Sequence, residues 1–386
     1  MRIAELRELR LRVQGLRAPF DATAPEVVRR FVAVQSQEFL PAQFGLAVRV
    51  PSERRPDAAA VAAQVDAGEI LRTHVLRPTW HFLHPADARW VLELSAERVH
   101  RVNATYYRRT GVDGETATRG LDLIAQSLAG GHRTRSQLAA ALDSSGLPHT
   151  GLAFTYLLML AELERVAISG ADVGKQRTYA AFDDRVPAAE PRPRDEALAE
   201  LAARFIASRG PVTDRDFAAW SGFTLGDTRQ AFADATDGAA AHGARLEQVD
   251  VDGVTHVLDA EAVAAASARS DDGDAAREAE TGPVVDLLQA YDEYIMGYAV
   301  PRMHLLPPGR SNPVHAEFPL HALMIDGVMA GRWAPVVQGR KATVRIVPWR
   351  PFTRDEERSL AASVAEVERF LGVPAAIERA EPAAPE

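Results

Sequence analysis

Residues 70–83 read ILRTHVLRPTWHFL. The stretch is rich in β-branched and aromatic residues and is broken once, at Arg77-Pro78, where proline fixes its own φ and biases the residue before it away from the helical region. It reads as two extended segments joined by a turn. The residues before it follow another period: apolar side chains recur at helical spacing over 3–16, 25–34, 41–48 and 57–67. Short helices followed by a hairpin describe a winged helix. The scheme then recurs. A connecting helix over 85–109 leads to helices at 119–128, 134–142 and 151–164, with VAISG and KQRTYAAF as the next hairpin. Thr134 is a suitable N-cap for RSQLAAAL and Gly146 a suitable stop. After the proline-rich VPAAEPRPR at 186–194 come three more helical segments and RLEQVDVDGVTHVL, a hairpin with an Asp-Gly turn.

From residue 284 onward LLQAYDEYIMGY, FPLHALMIDGVMAGRWAPV and KATVRIVPW read as strands, closed by an amphipathic helix at 353–371. The expected class is α+β: three tandem winged-helix (helix-turn-helix) units and a C-terminal β-rich region. The units span 1–84, 85–186 and 187–265. A polar segment at 266–282 is expected to be a flexible loop, 283–372 the β-rich region, and 373–386 a disordered tail.

Composition narrows the function. At 386 residues and 47% hydrophobic the chain can bury more than one core. The absence of cysteine excludes disulfides, a thiolate nucleophile and any cysteine-containing zinc site. No run is long enough to span a bilayer, and the arginine-dotted start lacks the apolar core of a signal peptide, so the expected location is cytoplasmic, nucleoid-associated, with no membrane partner. Net charge is -9, against an overall polyanion-binding field. The charge is uneven: residues 1–120 hold 18 basic and 14 acidic side chains, a difference of +4, whereas 240–300 are strongly acidic. A nucleic-acid face would lie in the first half. Only Lys175 and Lys341 are lysines, so cationic contacts are almost all guanidinium, a feature that compositional bias toward arginine also explains.

The candidate chemistry lies just upstream of the first hairpin, in FVAVQSQEF, residues 31–39. Gln35 and Gln37 flank Ser36 in an apolar run, and a buried amide without partners costs a few kcal/mol, roughly 1 to 3. In a helix, residues two apart point about 200° from each other, so the pair could share a target only in an extended or turn segment. Leu40 precedes Pro41, which supports a break between two helices here. The structural alternative is that both amides satisfy backbone groups at a helix end.

Other residues allow two readings each. His81 and His84 have a ligand-like spacing but no third ligand nearby in sequence, so no metal is expected, and no cofactor. His81 is expected to line a channel or meet phosphate. Arg77 is either a DNA contact or an exposed turn arginine. Arg133, Arg135 and Gln137 open a recognition-type helix, Arg108 and Arg109 adjoin Tyr106 and Tyr107, and Lys175 and Arg177 lie on the second wing. Each of these is equally a solvated surface residue. Asp292, in YDEY, would either support the site or hold an arginine such as Arg332.

Taken in order, QSQEF, RPTWHFLHPADARWVL, GGHRTRSQLAAAL, RGPVTDRDFAAWSGFT and AYDEYIMGY resemble the tandem winged-helix family that includes the AlkZ and YcaQ DNA glycosylases, over about residues 5–370. The resemblance implies monofunctional excision of N7-alkylated guanine, bulky adducts and interstrand crosslinks included, from double-stranded DNA by a monomer. It also implies that a Gln-x-Gln or Gln-x-Asp pair is catalytic, here Gln35 and Gln37, with polar Ser36 where an apolar residue is expected. The chemistry agrees. A neutral amide is a poor general base, but an N7-alkylated guanine is already cationic and leaves without protonation, so positioning water and stabilising an oxocarbenium-like sugar suffices. A bulky adduct calls for a wide groove rather than a tight base-flipping pocket. The competing reading is a non-catalytic winged-helix DNA-binding regulator or genotoxin-resistance binding protein, which the acidic total charge favours.

Overall fold

The computed structural model describes residues 1–238, 244–277, 282–289, 291–307 and 321–382. The chain opens with α1 (Ile3–Val13) and α2 (Ala24–Phe31), then β1 (Ala33–Gln35), α3 (Phe39–Ala47), α4 (Ala58–Ala67), β2 (Leu71–Val75) and β3 (Thr79–Leu83). A 26-residue helix, α5 (Pro85–Thr110), leads into α6 (Gly114–Leu128), β4 (Arg133–Thr134), α7 (Arg135–Asp143), α8 (Gly151–Leu163), β5 (Ala167–Ser169), β6 (Thr178–Ala181) and α9 (Phe182–Arg185). A third run holds α10 (Arg194–Arg209), α11 (Asp214–Ser221), α12 (Leu225–Gly238), β7 (Leu246–Val251) and β8 (Val254–Asp259).

One plan underlies all three runs. The order is helix, extended segment, two helices, then two strands, and the sheets are ordered β1-β3-β2 and β4-β6-β5. In the third run Val212 bridges Val257 on β8, so a single residue takes the place of β1. The short first strand is what the sequence reading lacked: at two or three residues it is too brief to show a period of two.

α13 (Ala260–Arg277) follows, then β9 (Val285–Leu288), α14 (Glu293–Met296), β10 (Ala322–Ile325), β11 (Val328–Gln338), β12 (Lys341–Pro348), α15 (Arg354–Leu371) and β13 (Ala375–Arg379). The last sheet is ordered β13-β12-β11-β10-β9. Three expectations change here. Residues 266–277 are helical, because the alanine-rich start of the segment extends a helix from β8; 278–281 lie outside the described residues. YDEYIM is not a strand, since Asp292 caps α14 by accepting the Tyr294 N–H at 2.9 Å. The tail begins with a strand, β13, paired in parallel with β12, before 383–386 pass outside the described residues.

The first sheet is buried on both faces. Val34 and Phe82 join a core shared with α2, α3 and the C-terminal sheet, while Ala33, Leu71, Val75 and Leu83 join one shared with α5, α10 and α11. The second run has its own core around Ile124, Leu138 and Leu157. Among the described residues, no helix is long and apolar enough to cross a membrane.

Candidate active site

α2 stops earlier than the sequence reading expected. It ends at Phe31, and Val32 turns the chain with φ 65, a region where a β-branched residue is strained by roughly 1 to 3 kcal/mol and persists only when its surroundings hold it. Val32 is fully buried. Leu76 (φ 61) and Tyr291 (φ 63) are two further non-glycine residues at positive φ. These three turns bring β1, the β2–β3 hairpin and the start of α14 to one point.

That point is Gln35. It pairs with His81 across β1–β3, and His81 pairs with Thr73 across β3–β2, so the three side chains share a face. The Gln35 N–H donates to Glu293 Oε1 at 2.9 Å, and its side-chain Oε1 accepts from Arg77 Nη2 at 3.0 Å. Because a guanidinium only donates, this contact fixes which way the amide points. Ser36 N–H donates to the Trp80 carbonyl at 2.8 Å, and the Ser36 carbonyl accepts from Arg72 at 2.9 and 3.1 Å. Gln37 is exposed, and its Oε1 accepts the Trp80 N–H at 3.2 Å. Both amides thus spend an oxygen lone pair on a protein donor, and among the described residues neither Nε2 has a partner. Gln35 ends β1 and Gln37 lies in the bend that follows, so the pair sits outside any helix, in the kind of extended-then-turn segment where residues two apart can serve one target.

The surroundings are polar and short of partners. Of twelve buried side-chain atoms without a hydrogen bond among the described residues, five belong to this hairpin and loop: Ser36 Oγ, Thr73 Oγ1, Arg77 Nε, Thr79 Oγ1 and His81 Nε2. Such a cluster is uncommon away from functional sites. His81 is fully buried, and its Nδ1 lies 3.0 Å from the Thr79 carbonyl, so Nδ1 carries the proton and Nε2 is a bare acceptor. Burial, with Arg77 adding to it, pushes its pKa down to about 3, so the ring is neutral.

Three assignments are corrected by this geometry. His81 is too deep and uncharged to meet phosphate, and Arg77 is a half-buried tether of Gln35 that also reaches the Ala219 carbonyl, not an exposed turn arginine. Asp292 neither enters the site nor holds Arg332: Arg49 binds both its carboxylate oxygens at 2.7 and 2.9 Å. The neighbouring Glu293 is the acid that reaches Gln35.

Around the mouth, the Arg72 guanidinium sits 4.2 Å from the Trp80 ring and 5.5 Å from Phe39, and Arg177 sits 3.3 Å from Phe39 while pairing with Asp172. Arg177 therefore joins the rim. Arg108, Arg109, Arg135 and Lys175 are exposed on the second run, Arg133 is half-buried, and no contact joins them to the glutamines. Gln137 belongs to the capping box of α7, its Oε1 accepting from Thr134 N–H at 2.8 Å. Arg72, Arg209 and Trp220 were missed in the sequence, where nothing in their spacing marks them. No group of three metal-ligating side chains occurs among the described residues.

The chain and its fold have relatives. The chain is 24% identical to the interstrand DNA cross-link repair glycosylase of Streptomyces sahachiroi, over 94% of this chain and 95% of that one. The solved structure of Streptomyces sahachiroi DNA glycosylase AlkZ superposes with a TM-score of 0.73 at 21% identity, covering 98% of this chain and all of that one, which shows a common fold. A family model for AlkZ-like DNA glycosylases matches residues 28–370, from α2 and the Gln35 strand to the end of α15. The chain belongs to the AlkZ-like DNA glycosylase family.

Proposed function

We propose that this DNA glycosylase hydrolyses the N-glycosidic bond of N7-alkylated guanine in double-stranded DNA, with Gln35 and Gln37 as its catalytic pair. The observation that carries the reading is that the two amides lie two residues apart in a non-helical segment, each oxygen held in direction by one protein donor and keeping a second lone pair. An N7-alkylated guanine carries positive charge. Its C1′–N9 bond breaks with both electrons going to the base, which leaves neutral, while the sugar becomes an oxocarbenium ion. Gln37 Oε1 keeps a second lone pair for an O–H of the attacking water, which bonds to C1′ and gives its remaining proton to solvent. The anchored oxygens are the negative ends of fixed, neutral dipoles, and their free lone pairs are what would stabilise the developing positive charge. Arg77 is spent on the Gln35 oxygen and the Ala219 carbonyl, and burial lowers its pKa, which disfavours its charged form.

We read the three repeats as tandem winged helices of 1–84, 85–186 and 187–265, on the strength of their shared order of elements and of strands. The DNA would lie against the second unit, where Arg108, Arg109, Arg133, Arg135, Lys175 and the rim residue Arg177 offer cations to phosphates. Gln37 lies open at the surface rather than inside a closed cavity, which suits bulky adducts, and the relative's name points to interstrand crosslinks as substrates here too. The protein would act as a monomer on chromosomal DNA in the cytoplasm.

The test is single-turnover release of N7-methylguanine from an end-labelled duplex, read by alkaline cleavage of the abasic site. Removing transition-state interactions worth about 2.7 to 4 kcal/mol predicts a fall of roughly two to three orders of magnitude for Gln35→Ala/Gln37→Ala with folding intact. Equal release by the double variant and the wild type would remove both glutamines from the mechanism. No release by the wild type from this lesion or a bulkier N7 crosslink would refute the substrate class.

A further inference from the structure

Among the described residues, the edge of β1 that faces away from β3 has no neighbouring strand. Ser36 turns its N–H toward β3, so Ala33 and Gln35 present their backbone groups on the opposite, outer edge. An unpaired buried edge is costly. Here it is filled by one ion pair. Glu293 Oε1 accepts the Gln35 N–H at 2.9 Å, and Arg209 Nη2 donates to the Ala33 carbonyl at 3.1 Å while pairing with Glu293 Oε2 at 2.6 Å. Acceptor and donor stand against residues i+2 and i, as the backbone of a neighbouring strand would. Arg209 Nε and Trp220 Nε1 each donate to Oε2 at 3.1 Å, and Arg209 Nη1 reaches the Phe31 carbonyl at 3.2 Å. Glu293 is 2% exposed, Arg209 and Trp220 fully buried.

We infer that Glu293 is a positioning residue for excision: with Arg209 it substitutes for a missing strand, sets where β1 ends, and so aims Gln35 and Gln37. The inference rests on the reading of that pair as catalytic. It assigns a role in the reaction to a side chain from the C-terminal region, 258 residues from Gln35 in sequence. The length of the side chain matters as much as its charge. Oε1 must span from α14 to β1 while Oε2 stays with Arg209 and Trp220.

Two conservative variants separate positioning from simple support. Glu293→Asp keeps the charge and its pairing with Arg209 but withdraws from Gln35 by one methylene. Glu293→Gln keeps the reach and an acceptor oxygen but strands the buried Arg209 cation. Single-turnover release of N7-methylguanine with enzyme in excess gives the rate within the complex, independent of any unfolded fraction, and titration gives Kd for the duplex; urea unfolding ranks stability. Positioning predicts opposite rankings. Glu293→Asp loses roughly 10- to 100-fold in rate with Kd within about twofold and the smaller loss of stability, and Glu293→Gln retains more rate but loses more stability. Rates that follow stability, or a Glu293→Asp rate equal to wild type, overturn the inference, and the latter outcome decides it even if Glu293→Gln does not fold. Gln37→Ala in the same assay keeps the two failures apart: if it is as fast as wild type, the catalytic reading itself has failed.

Discussion

The wall behind the glutamines and the surface of the second unit use arginine in opposite ways. Behind β1, Arg209 pairs with Glu293 and Arg49 with Asp292, and Arg10 lies 3.6 Å from Asp216; all six side chains are buried. On the second unit, Arg108 and Arg109 are exposed, and no acid pairs with either among the described residues. A buried pair must satisfy nearly every donor and acceptor, which makes it a rigid gauge of distance but a weak source of net stability. An unpaired surface guanidinium costs the fold little and stays available to a phosphate. One residue type thus braces buried backbone in one region and stays exposed to solvent in the other.

The comparison breaks most visibly at Asp292. Asp292→Ala removes the partner of Arg49, which is 3% exposed and also holds the Gly45 and Gln14 carbonyls. Stranding that cation is expected to cost about 3 to 5 kcal/mol. Arg108→Ala/Arg109→Ala should change stability by no more than about 0.5 kcal/mol per site. Urea unfolding of the three proteins measures both, and similar losses would show that the two regions are not different in kind.

The same contrast explains what could be read beforehand. The β2–β3 hairpin, α5 and the capping box at Thr134 carry local signals: a proline turn, a long apolar period, a Thr and a Gln three residues apart. β1 carries none, because three residues show no period and the end of α2 is decided by Val32, a residue that avoids the φ it adopts here. The two glutamines stood out as amides in an apolar run and as the Gln-x-Gln pair that the family resemblance implies. Arg77 stood out in another role, as a DNA contact or an exposed turn arginine, while Arg209, Trp220 and Glu293 meet behind Gln35 through tertiary packing across up to 258 residues. The acid of YDEY that reaches the site proved to be the second, because Asp292 is spent on capping α14 and on Arg49.

A smaller effect sharpens the role of the exposed cations. If Arg108 and Arg109 contact phosphates, replacing both by alanine lowers affinity for undamaged duplex about as much as for alkylated duplex. The slope of log K against log salt should shrink by roughly 0.9 for each phosphate that is no longer neutralised. The single-turnover rate at saturating enzyme stays unchanged, since neither arginine is near Gln35 or Gln37. An unaltered slope would move the DNA footprint elsewhere on the surface.

The smallest expected effect is on the pH dependence of the rate. His81 is neutral in the fold with a pKa of about 3 against an ordinary 6.5, because burial and Arg77 both disfavour its charge. The unfolded chain therefore binds a proton that the folded chain refuses between those values. Stability falls as pH drops from about 6.5 toward 3, and His81 contributes no pH dependence above that window. His84, His256 and His304, also lowered by burial, add to the same loss. On the proposed amide chemistry the reaction sees none of it. Two amides do not titrate, His81 stays neutral, and a cationic base leaves without a proton, so release per bound complex should be flat from about pH 5.5 to 8 while the unfolding midpoint declines over the acid part of that range. A rate that rises or falls through an apparent pKa between about 6 and 7 would mean that a titrating side chain acts in the step, and the amide-only chemistry would have to be abandoned.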